Sequence, residues 1–336
     1  MDTITDNLLK VLVADDEAAI RSFLGAVLEE RGDCDFQFAS DGEEAFRKIA
    51  TYQPDLLITD LSMPGMGGEE LADRVIQIQP DLTILVETGN ATLESAVRLM
   101  REGVVDLITK PFRIEDLRGR LDRAFEKSRS RRSTRFVDAI VNSLMTALAA
   151  KDRYLKTHSE NVSILSRLLG RDFGLSAREL ECLEWGALIH DVGKIGISET
   201  VLHKPGKLTD EEFAEMKLHP TYSAQIIRPL ALFKGGEATV KAVYHHHERI
   251  DGTGYPAGIA GKEIPSLAKI ISVCDVFDAL SSDRPYRRAL NGEQIRKIIQ
   301  DAGGTHLDPE LVSIFLQNIE TYKNDVLVYH RDKEQE

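Results

Sequence analysis

His246 and His247 stand side by side in the run Tyr244-His245-His246-His247-Glu248, and further residues with ligating side chains lie before and after them: His158, the pair His190-Asp191, His219 and Asp275. Adjacent histidines are costly in an apolar core, whereas neutral imidazole is the commonest protein ligand for transition metals. The set is imidazole and carboxylate with no thiolate, which suits Fe, Mn, Ni, Co or Zn better than Cu(I). A carboxylate next to a histidine, as in His190-Asp191, can serve one ion or bridge two. Two close ions lower the pKa of a shared water and clamp phosphate oxygens, so the chemistry within reach is phosphate-ester hydrolysis. Lys194 and the cationic group Arg284, Arg287 and Arg288 are candidate phosphate contacts, since an arginine can pair two oxygens at once.

A second constellation lies in the first third of the chain: Asp15-Asp16, Asp60, Thr88-Gly89 and Lys110-Pro111. Converging carboxylates repel one another unless a hard cation such as Mg²⁺ sits among them. A hydroxyl and an ammonium opposite them could hold a transferred phosphoryl group.

Elements that would place these residues can be read from periodicity. Val11 to Val13, Phe36 to Phe38, Leu56 to Ile58, Ile84 to Val86 and Val105 to Ile108 read as strands separated by amphipathic helical stretches. That alternation predicts an α/β doubly wound, five-stranded parallel sheet, in which ligands bind beyond the carboxyl ends of the strands. Arg113 to Glu126 reads as a helix with Leu117, Leu121, Ala124 and Phe125 on one face. After it comes the basic run Lys127 to Arg135, and a new stripe starts at Phe136, Ile140, Leu144 and Leu148. The expectation is a long helical connector with a polar hinge, able to pair in a homodimer. Its basic run reads as a solvated face, the other reading being contact with a nucleotide or an acidic partner. Beyond it helical periodicity dominates, over Leu180 to Ile189, Glu211 to Leu218 and Ser266 to Leu280, and an all-α bundle with ligands on facing helices is expected. Trp185 and its apolar neighbours read as core.

Composition agrees with a division. Every histidine lies at or after His158, and residues 1–126 hold 13 Lys/Arg against 26 Asp/Glu while residues 127–336 hold 29 of each, so the net charge of −13 belongs to the front. This acidity argues against direct DNA binding. Cys34, Cys182 and Cys274 form no CxxC pair and fit a reducing compartment. No apolar run approaches the roughly 20 residues of a bilayer span, and a soluble cytoplasmic protein without membrane insertion is expected.

Residues 8–126, with Asp15, Asp16, Asp60, Thr88, Lys110 and the loop Met63 to Gly68, closely resemble the receiver domain of two-component response regulators. The resemblance implies Asp60 as phosphoacceptor, Asp15 and Asp16 as Mg²⁺ ligands, Thr88 and Lys110 as phosphate-contacting switch residues, and a sensor histidine kinase as phosphodonor. Residues 137–318 resemble an HD-GYP domain. The motifs are His190-Asp191 with Gly193-Lys194, Lys204 to Thr209, His219-Pro220, His246-His247-Glu248, Asp251 to Pro256, Asp275 to Leu280, Arg284 to Arg287 and His306 to Pro309. That family implies a cyclic-di-GMP phosphodiesterase with a non-haem binuclear centre, often iron or manganese. By position, His158, His190, Asp191, His219, His246, His247 and Asp275 become ligands with Asp191 bridging. Lys194, Arg284 and Arg287 become phosphate contacts, and Tyr255 stands in the signature loop beside the substrate.

Four positions depart from these families. Leu107 replaces an inward-swinging aromatic residue of receivers, so phosphorylation would act through other surfaces or weakly. Tyr154 stands where some HD-GYP members have a glutamate that helps bind a third metal, so two metals are expected and pGpG rather than GMP could dominate. Ile250 and Thr253 replace a common aromatic residue and serine in the signature loop. The expected organisation is a receiver over 1–126, a helical linker over 127–136, the HD-GYP domain over 137–322 and a fraying polar tail over 323–336. Rival readings are a non-catalytic cyclic-di-GMP sensor or adaptor acting on a diguanylate cyclase partner, and a hydrolase of another cyclic dinucleotide such as cyclic GMP-AMP.

Overall fold

A computed structural model of the chain describes residues 8–89, 98, 104–233, 235–282 and 288–333, and the chain divides into two compact units, Met1–Phe136 and Val137–Glu336. In the first, β1 (Leu9–Ala14), α1 (Ala18–Arg31), β2 (Cys34–Ala39), α2 (Gly42–Tyr52), β3 (Leu56–Asp60), α3 (Gly68–Ile78), β4 (Thr83–Thr88) and β5 (Asp106–Thr109) alternate. The strands form one sheet of order β2-β1-β3-β4-β5, and every pairing is parallel. Parallel strands are buried on both faces, which is why these segments read as continuous apolar runs. Leu12, Leu57 and Ile84 face one core with Ile49, Leu71 and Val75 of α2 and α3, while Val11, Val13 and Ile58 face another with Leu24 and Leu28 of α1. The strand order reverses between β1 and β3, and Asp15 and Asp60 lie at the carboxyl ends of those two strands. A binding crevice at that switch point follows from the topology.

Helix α4 (Ile114–Lys151) begins in the first unit, where Leu117, Leu121, Ala124 and Phe125 are buried as expected. It runs without a break through the stretch read as a hinge. The basic run is not a solvated face. Arg129 pairs with Asp33 at 2.7 Å, Arg131 donates to the Leu82 carbonyl at 2.8 Å, and Arg132 and Arg135 reach the Asp55 carboxylate at 3.4 and 3.1 Å. The acidic partner is therefore the first unit's own surface. Past this point the expected stripe holds at Leu148, and Ile140 and Leu144 pack partly buried beside it, but its centre shifts by one residue elsewhere. Val137, Val141, Met145 and Leu148 are buried, whereas Phe136 is exposed. A four-residue spacing read alone cannot separate neighbouring stripes of a 3.6-residue helix.

In the second unit the described residues form helices and short helical turns, with α5 (Arg153–Phe173), α6 (Ala177–Ile189), α7 (Asp210–Met216), α8 (His219–Ile226), α9 (Gly236–His245), α10 (Ser266–Ser281), α11 (Gly292–Ala302) and α12 (Pro309–Lys333). Several starts are written locally. Ser176 with Glu179, Thr209 with Glu212 and Asn291 with Gln294 are reciprocal capping boxes. One core joins Leu165 and Leu169 of α5, Ile271 and Phe277 of α10 and Phe315 and Tyr322 of α12; a second surrounds Trp185, whose indole N–H donates to Asp138 at 2.8 Å. Residues 323–333, expected to fray, continue α12. They bring a half-buried His330 against Asn161 and Lys333 against Glu160. None of the described helices is long and apolar enough to cross a membrane.

Candidate metal centre and phosphoacceptor site

In the second unit seven side chains far apart in sequence come together. His158 projects from α5, His190 and Asp191 follow α6, His219 opens α8, His246 and His247 follow α9, and Asp275 lies on α10. Their ligating atoms fall into three overlapping groups, each within 4.8 Å: His219, His246 and His247; His190, Asp191 and His246; His158, His190 and Asp275. Asp191 joins the outer groups. Its Oδ1 is 3.3 Å from His219 Nε2, while its Oδ2 is 3.5 Å from His190 Nε2 and 3.8 Å from His158 Nε2.

Four of the five imidazoles are aimed by a bond at the far nitrogen. Nδ1 of His190, His219 and His246 donates to the carbonyl three residues earlier, of Ala187, Met216 and Val243, at 2.7, 2.7 and 2.6 Å. His158 Nδ1 instead donates to Asp278 Oδ2 at 2.6 Å. Every one of these bonds leaves an Nε2 directed into the cluster, the arrangement typical of metal-binding histidines. Gly193 lets the turn after Asp191 press on the start of α8, since a Cβ there would lie 2.1 Å from the His219 carbonyl.

The electrostatics suit cations. His190 Nε2, His246 Nε2 and Asp191 Oδ1 are buried and have no hydrogen-bond partner, and buried polar atoms left so are rare. Burial and the neighbouring imidazoles push His246 well below its ordinary pKa and His247 down to about 3, so both present neutral rings. Burial works to raise Asp191 and Asp275, yet Lys194 with His190 holds the first well below the usual carboxylate range, and His158 does the same for the second. Burial would lower His158, but Asp275 and Asp278 raise it to about 9. The residues present thus fit a metal pair. Lys194 Nζ lies 2.5 Å from Asp191 Oδ2. The Tyr255 ring stacks on His247 with centroids 4.8 Å apart, and Gly254 beside it has no room for a Cβ, which would fall 2.4 Å from Arg249 N.

Of the remaining sequence expectations, Arg284 and Arg287 lie outside the described residues, and Arg288 is exposed. Tyr154, at the position of the third-metal glutamate, lies with its ring parallel to His158 at a centroid distance of 6.1 Å. Two participants were not singled out from sequence. Asp278, buried and bonded to His158, sits one turn after Asp275, a spacing that could have flagged it. Glu248 was seen only as part of a motif. Its buried carboxylate accepts from Ala257 N at 2.7 Å and Gly258 N at 3.1 Å, fastening the loop that carries Tyr255.

In the first unit Asp15, Asp16 and Asp60 have carboxylate oxygens within 4.8 Å of one another. Asp15 and Asp60 are buried and Asp16 is exposed. Lys110 Nζ lies 2.6 Å from both Asp15 Oδ2 and Asp60 Oδ2, and these contacts raise its pKa against the opposing effect of burial. Thr88 is buried at the end of β4, and Leu107 packs into the core beside Ile84 and Val86. Glu87 was overlooked in the sequence. It is 1% exposed, its Oε2 lies 3.9 Å from Lys110 Nζ, and burial with Asp15 and Asp60 nearby lifts it to about 8.

Comparison with known proteins decides the family: the profile of the HD domain matches residues 142–311, half of the chain. The chain belongs to the HD domain family. HD domains are metal-dependent hydrolases, in keeping with the imidazole–carboxylate cluster. The response regulator receiver domain matches residues 11–122, so this HD protein is also a response regulator, as the sequence resemblance implied. Among its relatives, the cyclic di-GMP phosphodiesterase response regulator RpfG of Xanthomonas campestris pv. campestris is 31% identical over 333 residues, covering 92% of this chain and 87% of that protein. A cyclic di-GMP phosphodiesterase of Thermotoga maritima is 30% identical over 358 residues, covering 98% and 94%. The 3'3'-cGAMP-specific phosphodiesterase 3 of Vibrio cholerae is 38% identical over 175 residues, covering 52% of this chain and 37% of that protein.

Proposed function

We propose that this response regulator hydrolyses cyclic di-GMP to pGpG, GMP or both at a binuclear centre in its HD domain, under the control of phosphorylation of Asp60. The observation that carries the reading is the position of Asp191, whose two oxygens face different imidazole groups while Lys194 caps one of them. In this reading His158, His190, Asp191, His219, His246, His247 and Asp275 hold two ions; the thiolate-free donor set suits Fe, Mn, Ni, Co or Zn, and the HD-GYP resemblance points to iron or manganese among them. When bound, such a pair supplies Lewis acidity and lowers the pKa of water near the phosphorus. The chain's own groups do the rest. Lys194 Nζ is placed to donate to a phosphate oxygen and offset charge developing there. Tyr255 covers one side of His247, with Glu248 keeping its loop in place. Arg284 and Arg287 would add bidentate phosphate contacts. Tyr154 against His158 favours two metals over three.

In the receiver, Asp15, Asp16 and Asp60 would hold Mg²⁺, a sensor histidine kinase would phosphorylate Asp60, and Lys110 and Thr88 would contact the phosphoryl group. The relatives in Xanthomonas and Thermotoga, matched over most of their length, support cyclic di-GMP as substrate. Similarity over 52% of the chain to a cGAMP-specific enzyme supports a second reading, with 3'3'-cGAMP as substrate. Product analysis tests both. Protein loaded anaerobically with iron or manganese is incubated with each dinucleotide beside an Asp191→Ala control; metal-dependent linear product from cyclic di-GMP, absent from the control, is the expected result. Turnover of cGAMP alone selects the second reading. Binding without turnover with either metal would overturn the enzyme and favour a sensor.

A further inference from the structure

The end of α12 is tied to the metal-ligand cluster by a line of hydrogen bonds. His330 Nε2 donates to Asn161 Oδ1 at 2.6 Å, Asn161 Nδ2 donates to Asp278 Oδ1 at 2.8 Å, and the other oxygen of Asp278 accepts from His158 Nδ1 at 2.6 Å. Chemistry fixes the direction of every bond. An ionised carboxylate only accepts, so Asn161 must turn its NH₂ to Asp278 and its oxygen to His330, which must then carry its proton on Nε2. By the same logic His158 carries its proton on Nδ1. Its Nε2, 3.1 Å from Asp275 Oδ1, faces the cluster and would release its own proton when a metal binds there. Asp278 is buried among apolar residues of α10, so losing either partner leaves an unsatisfied carboxylate there, which is costly. The sites of His190, His219 and His246 have no such extension, because their Nδ1 atoms end on main-chain carbonyls of their own turns.

We propose that Asp278, Asn161 and His330 are positioning residues of the metal centre. They hold His158 in one tautomer and ring orientation, and through His330 they make the last turns of α12 a determinant of metal affinity on the His158 side of the centre. The inference rests on the reading of His158 as a ligand. It goes further by assigning the C-terminal helix a part in that ligand's placement.

Titration of the metal-free full chain with Mn²⁺, followed by calorimetry and by the electron paramagnetic resonance signal of the bound ion, tests this. Asp278→Asn should weaken one of two sites by about 10–100-fold, the usual cost of losing a histidine's outer partner, and leave the other unchanged. His330→Ala should weaken the same site by a smaller factor and alter the same resonance signal. His330→Gln, which keeps an N–H donor, should restore both. Lys333→Ala breaks the neighbouring contact with Glu160 but leaves the line intact, so it should change neither site. Wild-type affinity at both sites in His330→Ala and Asp278→Asn would overturn the proposal. So would weakening of both sites together in step with a lower melting temperature that Lys333→Ala shares. A wild-type chain that takes up no metal would instead overturn the metal-centre reading, and this inference with it.

Discussion

Lys110 lies 2.6 Å from Asp15 and from Asp60 in the receiver, and Lys194 lies 2.5 Å from Asp191 in the HD domain. In both places a lysine neutralises a carboxylate that the proposed chemistry needs, yet the surroundings differ. The receiver's acids end strands, one of them faces solvent, and a single ammonium is shared between two of them. In the proposed reading Lys110 would give up part of that pairing when a phosphoryl group arrives on Asp60, so the site would have to rearrange. Four of the five imidazoles of the HD cluster, those of His158, His190, His219 and His246, are instead fixed at the far nitrogen by a carbonyl or by Asp278, and these cannot move without breaking a buried bond. As proposed, a switch and a catalytic centre would thus use similar residues with opposite degrees of preorganisation.

The largest effect should come from Asp191→Ala. Removing the carboxylate that faces both imidazole groups should abolish hydrolysis and reduce bound metal, read by elemental analysis and by product formation; full hydrolysis by this variant would break the distinction between the two sites. Next is Asp60→Asn, which should abolish labelling by acetyl phosphate, visible as loss of the retarded band on a phosphate-affinity gel. Persistent labelling would move the phosphoacceptor elsewhere. Glu248→Ala comes third. It leaves the main-chain N–H groups of Ala257 and Gly258, both in exposed residues, without their carboxylate acceptor, so the loop loses its anchor while water can replace part of the bonding. A lower melting temperature and a raised KM for the dinucleotide are expected, and wild-type values for both would show that the loop holds itself.

What the sequence disclosed follows from how strongly each element constrains it. Asp15, Asp60 and Lys110 were legible because the strands before them read as apolar runs and the topology fixes where their ends meet. The seven clustered residues of the HD domain were legible as ligating types, although no periodicity could show that α5, α6, α8, α9 and α10 bring them to one place. Arg129, Arg131, Arg132 and Arg135 were misread because a basic run carries no record of acids lying far from it in sequence, such as Asp33 and Asp55. Of the buried stripe Val137, Val141, Met145 and Leu148, Leu148 was placed and the other three were missed by one residue because Phe136 is the more apolar-looking start. Residues 323–333 looked too polar to pack. Their helix is held by His330 and Lys333, which composition alone scores as tail.

Glu87 was hidden for another reason: it ends an apolar strand and reads as the first polar residue beyond it. Its burial beside Lys110 yields the subtlest prediction. With a folded pKa of about 8 against an ordinary value of 4.5, the native receiver keeps a proton on Glu87 that the unfolded chain has lost. Between these values the folded state binds more protons, so this group's contribution to stability is complete below about pH 4.5 and is lost as pH rises through about 8. Glu87→Gln, which stays neutral, should remove that part of the pH dependence and gain relative to wild type as the solution turns alkaline. Denaturant titrations of metal-free protein from pH 5 to about pH 9, reading the receiver transition, check the slope. Parallel curves for the two proteins would mean that Lys110, 3.9 Å away, already keeps Glu87 ionised, and the receiver would then hold its lysine among three negative charges instead of two.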